Sequence, residues 1–290
     1  MARTEALPET IAGALALGYE CSRTPGTPLT STTAQALLAH VVGRGRAWLF
    51  AHSEEPLSPA DARRFVDLLE RAAAGEPLAH LVGEREFYTL PFTVTPDVLI
   101  PRPETESLVD VVLEWVERRD LRAPRIVDVG TGSGAIAVTL AVKLPAAHIA
   151  AVEISEPAIR VAQANAARHG VADRVGLVLG SLLDPLAGPF DVIVANLPYI
   201  NQEEIDALEV GRWEPRVALD GGSDGLRLIA GLLEQAPERL APGGLLALEI
   251  GYDQGPRVVQ MCRAAFPGAR VTLLPDLAGL DRIVKVETDA

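Results

Sequence analysis

Ile126-Val-Asp-Val-Gly-Thr-Gly-Ser-Gly-Ala-Ile-Ala-Val138 passes from an apolar strand-like run through a glycine-rich turn into a helical pattern. Glycines at such a turn carry no Cβ that would keep a ligand from the backbone, and they permit positive φ. The N–H groups at the start of the following helix favour an anionic group such as a carboxylate or a phosphate. Downstream, Glu153 closes the next candidate strand, where an acidic side chain accepts hydrogen bonds from ribose hydroxyls. Ser155 and Pro157 then open another helix as cap and early-turn residue. The alternative is a tight strand-to-helix connection with no ligand; Glu153 argues for a nucleoside site. Gly130, Gly132 and Ala135 also satisfy the dinucleotide pattern G-x-G-x-x-G/A, so a nicotinamide dehydrogenase stays open on this stretch alone.

Outward from the turn, strands and helices alternate. Candidate strands are Arg125–Val129, Ile149–Glu153, Val175–Leu179, Phe190–Ala195, Leu245–Ile250, Ala269–Leu274 and Asp281–Val286. Candidate helices are Ala135–Leu144, Pro157–His169, Leu226–Ala236 and Pro256–Ala265. The pattern predicts an α/β fold, a mostly parallel sheet covered by helices on both faces, with ligands held beyond the carboxyl ends of the strands. The first third reads as helical. Ser58-Pro-Ala-Asp61 is a capping box before an apolar stripe at Phe65, Leu68, Leu69 and Ala72. Ala34–Val42 and, more weakly, Pro8–Leu17 are further helical stretches, with a Ser/Thr/Pro/Gly-rich loop over Cys21–Thr33 between them. Phe87, Tyr88, Phe92 and Val94 around Leu90-Pro91 predict a short hairpin. A domain boundary is expected near residue 83, followed by a structured connector over 84–105.

The composition narrows the function classes. With 290 residues and 48% hydrophobic content, the chain can bury a sizeable core. Its net charge of −13 argues against a surface built to neutralise phosphates, so no direct nucleic-acid binding is expected. Cys21 and Cys262 are the only cysteines and read as free thiols of a reducing compartment. No secretory signal and no apolar run of about 18 residues is present, so a cytoplasmic protein without a membrane span is expected. The five histidines show no metal-ligand spacing, and no metal site is expected.

Asn196-Leu-Pro-Tyr199, at the end of the apolar run Phe190–Ala195, decides between the cofactors. The Asn196 side-chain oxygen and the Leu197 carbonyl form a pair of acceptors suited to a planar –NH2 group. Such a nitrogen is a poor nucleophile because its lone pair is delocalised, and the pair would hold it against an electrophilic methyl while it pyramidalises. Pro198 restricts Leu197 to extended conformations, which aims the carbonyl. Tyr199 offers a flat face for stacking. The chemistry read from these residues is methyl transfer from S-adenosylmethionine to nitrogen. The alternative is an ordinary turn closed by Asn and Pro.

Four further stretches resemble a known family: Gly75-Glu-Pro-Leu-Ala-His-Leu-Val-Gly83, Val98-Leu-Ile-Pro-Arg-Pro-Glu-Thr-Glu106, Glu214-Pro-Arg-Val-Ala-Leu-Asp-Gly-Gly222 with Asp224-Gly225, and Glu249-Ile-Gly-Tyr-Asp-Gln254. With the glycine turn and Asn196–Tyr199 they resemble the HemK/PrmC protein-glutamine N5-methyltransferases, from about Leu37 onward. The family modifies the glutamine of the Gly-Gly-Gln motif in class-1 peptide-chain release factors. The resemblance implies a helical substrate-recognition domain over 1–83, a β-hairpin linker over 84–105, and a seven-stranded Rossmann-like class I methyltransferase domain over 106–290 whose last strand is antiparallel. It implies that Gly130, Thr131, Gly132, Ser133 and Gly134 cradle the methionine part of S-adenosylmethionine. Glu153 would meet the ribose and Leu182 the adenine. Asn196, Leu197, Pro198 and Tyr199 would hold the substrate glutamine, with Asn196 also beside the cofactor. A monomer whose partner is a release factor is expected. The family's usual tetrapeptide is Asn-Pro-Pro-Tyr. The form with Leu197 also resembles ribosomal RNA adenine dimethylases, so a nucleic-acid amine methyltransferase is the competing reading. A non-catalytic adaptor would carry a damaged cofactor turn, and this turn is intact.

Overall fold

The computed structural model describes residues 7–289, so the first six residues and Ala290 lie outside the description. Contacts divide the chain into two compact units, one through Gly83 and one from Glu84. The first is all helical: α1 (Ile11–Ser22), α2 (Ser31–Val42), α3 (Arg46–Ala51), α4 (Pro59–Ala73) and α5 (Leu78–Val82). Leu37, Leu38, Leu49, Phe65 and Leu69 form its core. The loop expected over Cys21–Thr33 is shorter than its composition suggested. Thr30 accepts a hydrogen bond from the Thr33 N–H, so the Thr/Ser-rich end of that stretch is the cap and first turn of α2. Ser58 caps α4 from the Asp61 N–H, but its hydroxyl donates to the Asp61 carboxylate instead of the carboxylate returning to the backbone.

The second unit opens with a hairpin, β1 (Glu84–Phe87) and β2 (Leu90–Thr93), and continues with α6 (Glu106–Arg118), β3 (Arg125–Val129), α7 (Ala135–Lys143), β4 (His148–Glu153), α8 (Glu156–Arg168), β5 (Val175–Leu179) and β6 (Phe190–Asn196). Then come α9 (Glu209–Trp213), α10 (Arg227–Arg239), β7 (Leu240–Glu249), α11 (Gly255–Ala265), β8 (Arg270–Pro275) and β9 (Asp281–Glu287). The seven-stranded sheet has the order β5-β4-β3-β6-β7-β9-β8. Every pairing is parallel except those of β9, the last strand, which is antiparallel to both neighbours. The fold class matches the expectation: an α/β, Rossmann-like sheet accompanied by an N-terminal helical unit. The α6 helix was not among the expected helices. Among the described residues, no helix is long and apolar enough to cross a membrane.

Strand alternation builds a core on each face. Val192 and Val194 of β6 join Leu108, Val112, Ile136 and Leu140 from α6 and α7 on one side. Ile193 and Ala195 join Ile229, Leu232 and Val258 from α10 and α11 on the other. The hairpin belongs to the first of these cores, where Phe87 and Phe92 are buried edge to face. Its turn residues Tyr88 and Thr89 have positive φ, and the Glu106 carboxylate accepts the Tyr88 N–H at 2.8 Å, tying the turn to the start of α6.

Two fully buried polar side chains lock the glycine turn. Asn165 of α8 accepts from the Thr93 N–H at 2.8 Å and donates to the Thr93 and Ser133 carbonyls at 3.0 and 2.9 Å, joining hairpin, helix and turn. Asp128 accepts from the Thr131 hydroxyl and the Ala137 N–H through Oδ2, while Oδ1 has no partner among the described residues. Burial pushes the Asp128 carboxyl up to about 7 against the pull of those two bonds.

Asn165→Ala should lower stability by about 3 kcal/mol, since buried backbone groups lose their partner at roughly 1–3 kcal/mol each. A urea midpoint equal to that of the wild type would reject this lock. The raised carboxyl carries a sign. The folded state holds the Asp128 proton more tightly than the unfolded chain, so stability from this site is full below about pH 4 and declines toward about 7. The wild type should therefore lose thermal stability relative to Asp128→Asn as pH rises through that window, and parallel curves for the two proteins would contradict the assignment.

Candidate active site

The register of the central strands places the site. Val129 of β3 pairs with Ala195 of β6, so the residues that follow, Gly130 and Asn196, leave the sheet side by side. Beyond them lies a cavity of about 380 Å³. Gly130, Gly132, Glu153, Leu182, Asn196, Leu197 and Pro198 line it together with Ile154 and Ser155. Thr131, Ser133, Gly134 and Tyr199 do not. The Thr131 hydroxyl turns inward to Asp128, and the Ser133 carbonyl turns to Asn165.

Gly130, Gly132 and Gly134 all have positive φ. A Cβ on Gly130 would stand 3.1 Å from the Leu197 Cδ2, so the turn and the tetrapeptide are packed against each other at contact distance. The backbone donors of the turn are largely engaged. Gly130 and Thr131 donate to the Val152 carbonyl, Gly134 to the Thr131 carbonyl, and Gly132 to the Glu153 Oε2 at 2.9 Å. The turn therefore offers a ligand close approach to its α-carbons more than the row of free N–H groups expected from its composition. Glu153 is buried, and its Oε1 accepts from the Ser155 N–H at 2.9 Å. Each of its oxygens keeps a lone pair for a ligand hydroxyl. Leu182 has φ of 48°, a left-handed conformation that costs a branched residue. The Gln235 side chain stabilises it by accepting the Leu183 N–H at 2.8 Å.

At the cavity mouth, the Asn196 Nδ2 donates to the Thr105 hydroxyl at 3.1 Å. Its Oδ1 and the Leu197 carbonyl are bonded to no described residue and remain available as acceptors. Leu197 is 4% exposed. The Tyr199 carbonyl is taken by Gln254, whose Nε2 also donates to the Gly225 carbonyl and whose Oε1 accepts the Gly251 N–H. Burial, with Glu249 nearby, pushes the Tyr199 hydroxyl above its ordinary value.

The structure gives three of the family-like stretches a physical role. Glu214 is buried and accepts the Ile100 N–H at 2.9 Å and the Arg102 guanidinium, clasping the segment before α6 to the loop after β6. The next part of that loop runs under the tetrapeptide. Gly221 donates to the Ile200 carbonyl and Ile200 to the Leu219 carbonyl. Gly225, with φ of 71°, lies so close that a Cβ would stand 2.3 Å from the Tyr199 carbonyl oxygen. Three of the four stretches thus converge on residues 196–200. Glu214, Thr105 and Gln254 had not been singled out as site residues, and their partners lie too far off in the chain for local spacing to signal them.

Comparison with known proteins places the chain among its relatives. The family model described as the PrmC N-terminal domain matches residues 19–83, and that of the ribosomal protein L11 methyltransferase (PrmA) matches residues 107–200. A release factor glutamine methyltransferase from Moorella thermoacetica is 48% identical, over 86% of this chain and 88% of its own length. One from Bordetella pertussis is 44% identical, over 89% and 94%. Among solved structures, the catalytic domain of hMettl16 covers 82% of this chain and 86% of its own at a TM-score of 0.54 and 17% identity. A T. thermophilus 16S rRNA methyltransferase covers 71% and 49% at 0.51 and 19% identity. At such identities the structures share the fold alone, whereas the sequence relatives span nearly the whole chain. The chain belongs to the release factor glutamine methyltransferase family.

Proposed function

We propose that this protein methylates the side-chain amide nitrogen, N5, of the glutamine in the Gly-Gly-Gln motif of class-1 peptide-chain release factors, with S-adenosylmethionine as donor, and so tunes translation termination in the cytoplasm. The observation that carries the proposal is the pair of unengaged acceptors, Asn196 Oδ1 and the Leu197 carbonyl, at the mouth of a cavity that also holds Gly130 and Glu153. The residues present fit the donor. The Glu153 carboxylate suits the ribose hydroxyls, Ile154 and Leu182 give apolar walls for the base, and Gly130 leaves room where a side chain would intrude. When bound, S-adenosylmethionine supplies a methyl group made electrophilic by its positive sulfur.

The protein's part is positioning and electrostatics. The two acceptors take the two amide hydrogens of the glutamine and leave the nitrogen lone pair facing the methyl. As the nitrogen–carbon bond forms, the bonding electrons would stay with the departing donor and positive charge would develop on the substrate nitrogen. The two oxygen dipoles already point at that charge, so little reorganisation is needed. The nitrogen then gives up one proton to water. In this reading Pro198 and Tyr199 frame the substrate, Thr131, Ser133 and Gly134 shape the turn from behind, and the helical unit grips the release factor. The substrate is a protein side chain, and the enzyme acts as a monomer without direct nucleic-acid binding.

The first test offers radiolabelled S-adenosylmethionine with a class-1 release factor, the same factor with its Gly-Gly-Gln glutamine changed to alanine, and small-subunit ribosomal RNA. Label in the intact factor alone is expected; label in the RNA would move the assignment to the competing adenine chemistry. Asn196→Ala should lower kcat by about a hundredfold to a thousandfold, the usual cost of one preorganised polar contact, with cofactor affinity nearly unchanged. Full turnover in that variant would reject the amide cradle. Glu153→Ala should weaken S-adenosylmethionine binding by roughly tenfold to a hundredfold, as loss of charge-assisted hydrogen bonds does. An unaltered dissociation constant by calorimetry would remove Glu153 from the ribose site.

A further inference from the structure

The transfer outlined above leaves a buried carboxylate beside the site unexplained. Glu249 closes β7 and pairs with Asn196 across the parallel ladder. It is 2% exposed, and its Oε2 has no hydrogen-bond partner among the described residues. Burial pushes its carboxyl up to about 7; Thr105, Arg282 and Asn196 pull it down, and Glu104 pushes it further up. The Tyr199 hydroxyl also faces it. A carboxylate that merely filled space here would carry a desolvation cost that an apolar side chain of the same volume avoids.

Its neighbours suggest what it does. The two ends of an asparagine amide are nearly the same shape, but only the oxygen accepts. If the Asn196 amide turned over, it would present N–H groups to the N–H groups of the substrate. The amide is set by Thr105, whose oxygen accepts from Nδ2 at 3.1 Å. A hydroxyl, however, can serve either as donor or as acceptor, so Thr105 fixes Asn196 only if its own proton is committed elsewhere. An ionised carboxylate is an acceptor with nothing to donate, and Glu249, beside Asn196 in the ladder and pulled down by both Thr105 and Asn196, is the acceptor toward which both can turn their protons. We propose that Glu249 is a positioning residue: directly and together with Thr105, it holds the Asn196 amide with Oδ1 toward the cavity and thereby fixes the polarity of the substrate cradle. The proposal rests on the reading of Asn196 as a glutamine acceptor.

The test uses Thr105→Val, which removes the hydroxyl at nearly constant volume, Thr105→Ser, which keeps it, and Glu249→Gln. Calorimetric binding of S-adenosylhomocysteine shows that each variant is folded. In release-factor methylation, Thr105→Val and Glu249→Gln should each lose about tenfold to a hundredfold in kcat, the usual scale for a group that orients a residue at the reacting centre. KM for the cofactor should move less than about twofold. Thr105→Ser should keep about half of the activity or more. The acidic limb of wild-type kcat, near pH 7, should vanish in Glu249→Gln. A second readout needs no substrate: the Asn196 side-chain NH2 resonances should titrate near pH 7 in the wild type and not in Glu249→Gln. Wild-type kcat in Thr105→Val, equal impairment of the Ser and Val variants, or an amide signal indifferent to Glu249 would each overturn the proposal. Should Glu249→Gln fail to bind S-adenosylhomocysteine, the Val and Ser pair decides. If the wild type leaves the release factor unlabelled, the proposed function is what fails, and the amide titration still decides the role of Glu249.

Discussion

The parallel pairing of β3 with β6 is the constraint from which the site follows. In the order β5-β4-β3-β6-β7-β9-β8, these are the strands between which the chain reverses its direction of growth across the sheet. A crevice opens at such a point because the connections leaving the two strands diverge to opposite faces. Here α7 follows β3 onto the face that holds α6, while the face beneath the loop after β6 holds α10 and α11. Register does the rest. Because Val129 lies opposite Ala195, Gly130 and Asn196 emerge together, and a slip of one residue would send each apolar side chain of β6 to the wrong core. The geometry of the glycine turn relative to the acceptor pair is therefore set by the burial of Val192, Ile193, Val194 and Ala195, far more strongly than any loop interaction could enforce it.

What the sheet cannot fix is the conformation of the tetrapeptide beyond the last ladder bond, and a second set of contacts takes this over. Gln254 accepts, donates and bridges among Gly251, Tyr199 and Gly225, so three chain segments share one amide. The absence of a Cβ at Gly225 lets that backbone approach the Tyr199 carbonyl closely enough for the bridge to form. Glu214 performs the same service on the other side, binding Ile100 and Arg102 and hence the segment that delivers Thr105 to Asn196. These polar side chains are buried, so each has to be matched by partners. The need for matching is what makes the loops rigid.

This division of labour accounts for what the amino-acid order made legible. The seven strands are short apolar runs bounded by turn residues, and their expected limits differ from the observed ones by a residue or so, except at β7, where the strand begins at Leu240. Ala-Pro-Gly-Gly at 241–244 reads as a turn, yet it continues the strand through an irregular pairing of Phe190 with Leu240. The α6 helix carries a full amphipathic stripe at Leu108, Val109, Val112, Trp115 and Val116, but it begins where the connector was thought to end and was absorbed into that boundary. The helices α3 and α5 span fewer than two turns and leave too little periodicity to detect. The glycine turn and the tetrapeptide stood out in the sequence because their residue patterns are local, and the fold brings both to one cavity. Asn165 was not, since on the helix expected over Pro157–His169 it looks like one more polar residue; only the fold reveals that Thr93 and Ser133 face it.

Leu197 shows how local and long-range constraints trade. A proline there would hold φ through its own ring, and leucine gives up that restriction. In exchange, its side chain is buried against the glycine turn, with Cδ2 filling the space that a Cβ on Gly130 would need. Pro198 still confines the backbone of Leu197 to extended conformations, so the remaining freedom is rotation about φ. That rotation would pull the leucine out of its packing and expose apolar surface, which costs on the order of 2 kcal/mol for a buried leucine. Aim of the carbonyl is thus maintained by burial in place of covalent closure. Such a hold depends on Gly130 being glycine: the missing Cβ is what admits the leucine, so the acceptor pair and the glycine turn are one mechanical unit.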